Sequence, residues 1–184
     1  TAFGLHSDQR AEVFARHLGM AAQQVRVVCK DVGGSFGIKV HTYADEMATV
    51  ALSKLLKRPV KFVADRIESF VTDTHARDLL APGELAPDAK GGFLGVRVKA
   101  EANFGAYVSM FAPSIPSTGL AKVTSGLYRI PAIRIDFDCA FTNTVPVDAI
   151  RGAGKPEALF LLERLVHLAA HQTVRLDAEG AGGR

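Results

Sequence analysis

The chain has 184 residues, 48% hydrophobic and 22% charged, a balance that excludes disorder by composition and supplies enough apolar side chain for a buried core. Its 22 Lys and Arg against 19 Asp and Glu leave a net charge of +3 with both signs scattered, which argues against a dedicated nucleic-acid surface. Cys29 and Cys139 each sit in an apolar run with no second Cys or His at zinc-ligand spacing, so a disulfide scaffold and a zinc module are not expected, and no apolar stretch is long enough for a membrane span.

Ser7 can cap a first helix running to about His17, with Ala11, Phe14 and Leu18 as its apolar stripe and Gly19 as its stop. Val25 to Cys29 then reads as a short β-branched strand, broken by the glycine-rich run Asp31 to Gly37. Thr42 with Asp45 resembles a capping box, and Met47, Val50, Ala51 and Leu55 carry a helical period until Lys57-Arg58-Pro59 ends it. With Val60 to Val63 as a second strand, the first half reads as strand, helix, strand around one glycine loop.

The period changes at Leu94. Val96, Val98, Ala100, Ala102, Phe104 and Ala106 alternate with Arg97, Lys99, Glu101 and Asn103, which predicts a long strand with one buried face. Ile133, Ile135, Phe137, Cys139 and Phe141 repeat the alternation, and the two long strands are expected in one antiparallel sheet. Asp88 to Gly92 is a turn, and Leu79 to Ala86 the hairpin partner of the first long strand despite Pro82. Ser109 to Gly126 reads as a crossing loop with some helical turn. Pro156 opens a last helix whose face of Ala158, Leu161, Leu162, Leu165, Val166 and Ala169 is built to cover a sheet. The fold class is therefore α+β: a mixed or antiparallel sheet of long strands packed by helices. One domain is expected over 1–174, with 175–184 as a flexible end. Because the chain opens on Thr1, it reads as a piece of a longer protein.

Two glycine-rich segments stand out. Gly33-Gly34-Ser35-Phe36-Gly37 lacks both the spaced glycines of a dinucleotide loop and the Gly-Lys-Ser/Thr ending of a triphosphate loop, so nucleotide binding is not supported. What remains is a place where backbone can approach a bulky ligand, with Phe36 projecting from it. Arg151-Gly152-Ala153-Gly154 precedes a helix, where backbone amides lack helical partners and favour an anion. For both segments a tight connection with no ligand is the competing explanation.

Taken in order, Asp31 to Lys39, Arg58-Pro59-Val60-Lys61, Asp65-Arg66, Thr74-His75-Ala76-Arg77-Asp78, Ala102 to Tyr107 and Asp148 to Ala158 resemble the molybdenum-cofactor-binding large subunit of the xanthine dehydrogenase, aldehyde oxidase and carbon monoxide dehydrogenase family. The resemblance runs from about Thr1 to Val174. It implies an oxidoreductase in which a molybdenum-pterin centre, here expected in its cytosine dinucleotide form, takes a hydride from an aldehyde or N-heterocycle with water as the oxygen source. Iron–sulfur and FAD-bearing partner subunits would carry the electrons away, in the cytoplasm. By the same resemblance, the cofactor-binding residues are Gly34, Ser35, Phe36, Gly37, Arg151, Gly152 and Ala153.

Departures from the family pattern narrow this. The carbon monoxide oxidisers carry a copper-binding Cys where this chain has Gly152, and xanthine-oxidising members carry a substrate Glu where it has Val40. The family's catalytic Glu comes from a segment beyond Arg184, so no catalytic residue and no metal ligand are expected within this chain, which alone should be inactive. The remaining part of the large subunit would complete the pocket. The competing possibility is a cofactor-free interaction or assembly module that retains the fold. Among single residues, His17, His167 and His171 are read as surface or boundary residues with no partner at ligand spacing. His41 and His75 are read as non-catalytic, Asp65-Arg66 as a surface ion pair, and Glu46 and Glu157 as helix-start residues.

Overall fold

The thirteen-residue strand β3 (Phe93–Gly105) is the spine of the second half, and its alternation is realised from Val96 to Phe104. Val96, Val98, Ala100, Ala102 and Phe104 are buried, whereas Leu94 at the strand's start and Ala106 just past its end are exposed. Arg97, Lys99 and Glu101 between them are exposed and carry ion pairs, Arg97 to Glu84 at 2.7 Å and Lys99 to Glu101 at 3.7 Å. In a computed structural model of the chain, residues 7–181 are described, with side chains over 10–172. The side chain of Ser7, the expected first cap, and residues 182–184 lie outside that range.

The described residues fall into two compact units, the first comprising 7–75 with Ala149–Arg151 and the second 76–148 with 152–181.

In the second unit, β1 (Leu79–Leu80) and β2 (Gly83–Pro87) both pair antiparallel with β3, as the hairpin pattern predicts. Pro82, which has no N–H to donate, falls in the break between them. Asp88 closes the turn by accepting from the backbone N–H groups of Lys90 and Gly92 at 2.7 and 2.8 Å. The second long strand, β4 (Ile133–Phe141), pairs with β3 parallel, in register from Val96 opposite Ile133 to Asn103 opposite Ala140, after which the register shifts by one to set Gly105 opposite Phe141. This corrects the expected antiparallel pairing. Alternation fixes which face a strand buries but not its direction, and the intervening 106–132 is long enough for the crossover that parallel strands require. That crossover contains a π-helical turn, Ile115–Gly119, and is the helical segment anticipated between Ser109 and Gly126. The sheet is thus mixed.

Helix α4 (Lys155–Ala181) lays Leu162 against Val96, Val98 and Ala100, with Leu161, Leu165 and Val166 packed beside them. Gly83 admits it: a Cβ there would stand 3.0 Å from Leu165 and 3.2 Å from Leu161. The helix continues past Val174, so the described part of the expected flexible end is helical.

The first unit is helical. α1 (Ser7–Leu18) buries Ala11, Phe14 and Ala15, and α2 (Ala44–Leu56) ends at Lys57 in left-handed backbone before Pro59, as the stop signal predicts. The cap of α2 sits one residue later than expected. Tyr43 is the N-cap, and Glu46 rather than Asp45 reaches back to its N–H, at 3.2 Å. α3 (Arg66–Thr72) was not predicted. Asp65 is its N-cap, exchanging hydrogen bonds with Glu68 at 2.8 Å in a true capping box, which replaces the ion-pair role expected of Asp65-Arg66. Val25 to Cys29 and Val60 to Val63 form no strand, and Val28 and Val63 are exposed. β-branched residues favour extended backbone, but a strand exists only when a neighbour completes its ladder. No helix among the described residues is long and apolar enough to cross a membrane.

Candidate functional site

The first glycine turn is built from left-handed backbone. Gly34 has φ +115, Phe36 +51 and Gly37 +105. A bulky aromatic residue in this region is strained, and such strain concentrates where the surrounding structure demands a particular turn. The Phe36 ring folds back over Gly34, where a Cβ would stand 2.6 Å from the ring. Ser35 between them is buried, and its Oγ has no hydrogen-bond partner among the described residues.

This turn meets the segment that ends at Arg151, within the first unit. The Arg151 N–H donates to the Phe36 carbonyl at 2.8 Å, and the Arg151 guanidinium lies 5.4 Å from the centroid of the Phe36 ring. Gly37 makes the approach feasible: a Cβ on it would stand 2.3 Å from the Ala149 carbonyl oxygen and 2.8 Å from the Ile150 Cα. Gly34, Ser35, Phe36, Gly37 and Arg151 are therefore together. Gly152 and Ala153 belong to the second unit, where they lead into α4.

That second turn repeats the conformation, with φ +103 at Gly152, +42 at Ala153 and +92 at Gly154. A Cβ on Gly152 would meet the Pro156 ring at 2.6 Å and Arg77 Nη2 at 3.4 Å, so position 152 has no room for a side chain. Glu157, in the first turn of α4, faces Arg77 Nε at 3.8 Å. Arg77 is itself in left-handed backbone, and the motif order that singled out its segment gave no sign of this pairing.

The bracing of the first turn was also not foreseen. Arg10 on α1 donates to Glu46 at 2.7 Å and to the carbonyls of Lys39 and His41 at 2.6 and 2.8 Å, so one guanidinium ties the residues after Gly37 to two helices. The Tyr43 hydroxyl donates to the Ile38 carbonyl at 2.6 Å and lies 3.3 Å from Thr74 Oγ1. Helix-start chemistry explains only part of Glu46. Replacing Arg10 with Ala is expected to cost about 2 kcal/mol, since it removes a charge-assisted bond and two carbonyl contacts from a partly buried site. The urea midpoint checks this. Faster amide exchange across Ile38 to His41 should accompany it.

Beside the turn, Ile38, Asp65, Phe70, Asp73 and Thr74 line an open cleft of about 580 Å³. Burial, and then the nearby Asp45 carboxylate, push the Asp73 carboxyl above its ordinary value. His75 lines the same cleft and is exposed, whereas His41 is buried with its ring edge-on to Tyr43. Among the described residues no three His, Cys, Asp or Glu side chains converge on a metal position. One expectation about single residues is corrected. His167 and His171 are four apart on α4, a ligand spacing after all, and their rings are 4.5 Å apart.

Comparison with known proteins identifies the family. The molybdopterin cofactor-binding domain model matches residues 5–179. The chain is 37% identical over 161 residues to the carbon monoxide dehydrogenase large chain of Hydrogenophaga pseudoflava, covering 86% of this chain and 20% of that one. It is 33% identical over 165 residues to the 6-hydroxypseudooxynicotine dehydrogenase complex subunit gamma of Paenarthrobacter nicotinovorans, covering 90% and 21%. Quinoline 2-oxidoreductase from Pseudomonas putida 86 superposes with a TM-score of 0.87 at 30% identity, over 92% of this chain and 22% of that one. The chain thus spans about a fifth of the length of the relatives it matches. With the family model covering nearly every residue and the glycine turns folded as described, this chain belongs to the molybdopterin cofactor-binding domain family of the molybdenum oxidoreductases.

Proposed function

We propose that the turn Gly34 to Gly37, with Arg151 stacked upon it, forms part of the wall that holds a molybdenum-pterin cofactor, in its cytosine dinucleotide form, in an oxidoreductase large subunit. The observation that carries this reading is the bond from the Arg151 N–H to the Phe36 carbonyl, which joins two segments far apart in sequence into one turn. The residues present fit such a group. Gly34, Phe36 and Gly37 are left-handed, and a turn of that kind can direct backbone N–H groups towards an anionic oxygen. The buried Ser35 hydroxyl, without a hydrogen-bond partner among the described residues, supplies a further donor. In the second unit, Gly152 and Ala153 have backbone amides of their own at the turn into α4, and by resemblance to the family these are proposed as cofactor contacts.

When bound, the cofactor supplies a two-electron acceptor at which a substrate C–H is oxidised with water as the oxygen source. This chain's contribution is to bind and orient it. The Phe36 ring would shield the cofactor from water, and the Arg151 guanidinium lies over the face of that ring, 5.4 Å from its centroid, bringing positive charge beside it. A general base and the rest of the pocket come from the remainder of the large subunit. Iron–sulfur and FAD subunits take the electrons, and the assembly works in the cytoplasm.

An N-heterocycle or aldehyde is the favoured substrate. Relatives named for nicotine and quinoline oxidation support the first of these. Carbon monoxide is disfavoured because position 152, where the carbon monoxide oxidisers resemble one another in carrying a copper-binding Cys, cannot hold a side chain here. The test is metal analysis of the protein assembled with its large-subunit remainder and electron-transfer partners. About one molybdenum per large subunit with iron but no copper is expected, together with dye reduction driven by a quinoline-type heterocycle or an aldehyde. Absence of molybdenum would overturn the reading and favour a cofactor-free assembly module. Dye reduction by this chain alone would overturn the assignment of the base to another segment.

A further inference from the structure

We propose that His167 and His171 form an exposed two-imidazole chelate for a divalent first-row transition-metal ion. The two residues stand four apart on α4, so one helical turn places them on the same face. Both are exposed, and their ring centroids are already 4.5 Å apart. The helix beneath them is fixed by its opposite side, where Leu161, Leu162, Leu165 and Val166 pack on the sheet core. Chelation therefore requires rotation of two surface side chains and no movement of backbone.

The donor set selects the ion. Two neutral imidazoles suit copper(II), nickel(II) and zinc(II), whereas magnesium and calcium take oxygen ligands. Glu163, a further turn towards the N-terminus, accepts from the Tyr128 hydroxyl at 2.9 Å and is engaged elsewhere. Water completes the coordination shell, which makes this an open and exchangeable site rather than a closed structural one. Arg164 and Glu163, the charges in the turn before His167, offset each other, and Arg175 follows His171 by four residues.

Nickel(II) titration of the full chain by calorimetry tests the proposal, after alkylation of the thiols, because Cys29 and Cys139 are both exposed and would compete. One equivalent should bind, with magnesium giving no heat. His167→Asn and His171→Asn should each weaken that binding by roughly tenfold or more, since even loss of a supporting group commonly costs that much. His17→Asn, an exposed histidine of α1, should leave it unchanged. Affinity within about twofold of the parent in both α4 variants, or an equal loss in His17→Asn, would overturn the proposal. Copper(II) spectra provide the second measurement. Two-nitrogen coupling in the parent that falls to one in either α4 variant is expected, and unchanged coupling would overturn the site. None of these signals depends on molybdenum.

Discussion

Gly37→Ala should abolish molybdenum loading while costing about 3 kcal/mol of stability. Two effects combine. The residue sits at φ +105, where a Cβ is strained by roughly 1–3 kcal/mol, and that Cβ would stand 2.3 Å from the Ala149 carbonyl oxygen. Backbone cannot rotate away as a side chain can, so the clash is relieved only by parting the two segments. The bond from the Arg151 N–H to the Phe36 carbonyl would then be lost as well. Metal content and the urea midpoint should be measured together in the assembled protein. Near-parental molybdenum in a destabilised but folded variant would show that the cofactor does not need this junction. Phe36→Ala provides the comparison: it removes the ring and its cation contact but not the backbone bond, so it should spare stability more than it spares loading.

Leu162→Ala is the substitution with the largest expected cost in the second unit, about 2–5 kcal/mol. Leu162 is 1% exposed and packs against Val96, Val98 and Ala100, all on the buried face of β3. It also occupies the space over Gly126, where a Cβ would lie 2.8 Å from its Cδ2, so truncation leaves a cavity bounded by backbone that cannot follow it inward. Leu127→Ala is the matched control. That side chain is 98% exposed, and its loss should shift stability by less than ~0.5 kcal/mol. Equal denaturation midpoints for the two variants would show that the helix-to-sheet contact does not hold the second unit together.

The two predictions draw on different kinds of information. The partners of Leu162 follow from local periodicity: the spacing of Ala158, Leu161, Leu162 and Leu165 marks one helix face, and the alternation from Val96 to Phe104 marks one strand face. Two complementary apolar faces in one chain leave little choice but to pack. The junction at Gly37 does not follow from periodicity. The ordered motifs place Phe36 and Arg151 at a common site only through resemblance to a family, and nothing local says that a phenylalanine would accept left-handed backbone or that its carbonyl would receive the Arg151 N–H.

Composition and local pattern by themselves determined the α+β class, the buried faces of β3 and α4, the turn at Asp88 to Gly92 and the stop of α2 at Lys57 to Pro59. Each of these depends on residues within a few positions of one another. Tertiary structure alone decided that β4 runs parallel to β3, that Val25 to Cys29 and Val60 to Val63 remain outside any sheet, and that Arg10 ties two helices to the carbonyls of Lys39 and His41. Strand direction, ladder membership and long-range hydrogen bonds depend on which distant segment arrives as a neighbour. A side-chain period of two or 3.6 residues carries no record of that partner.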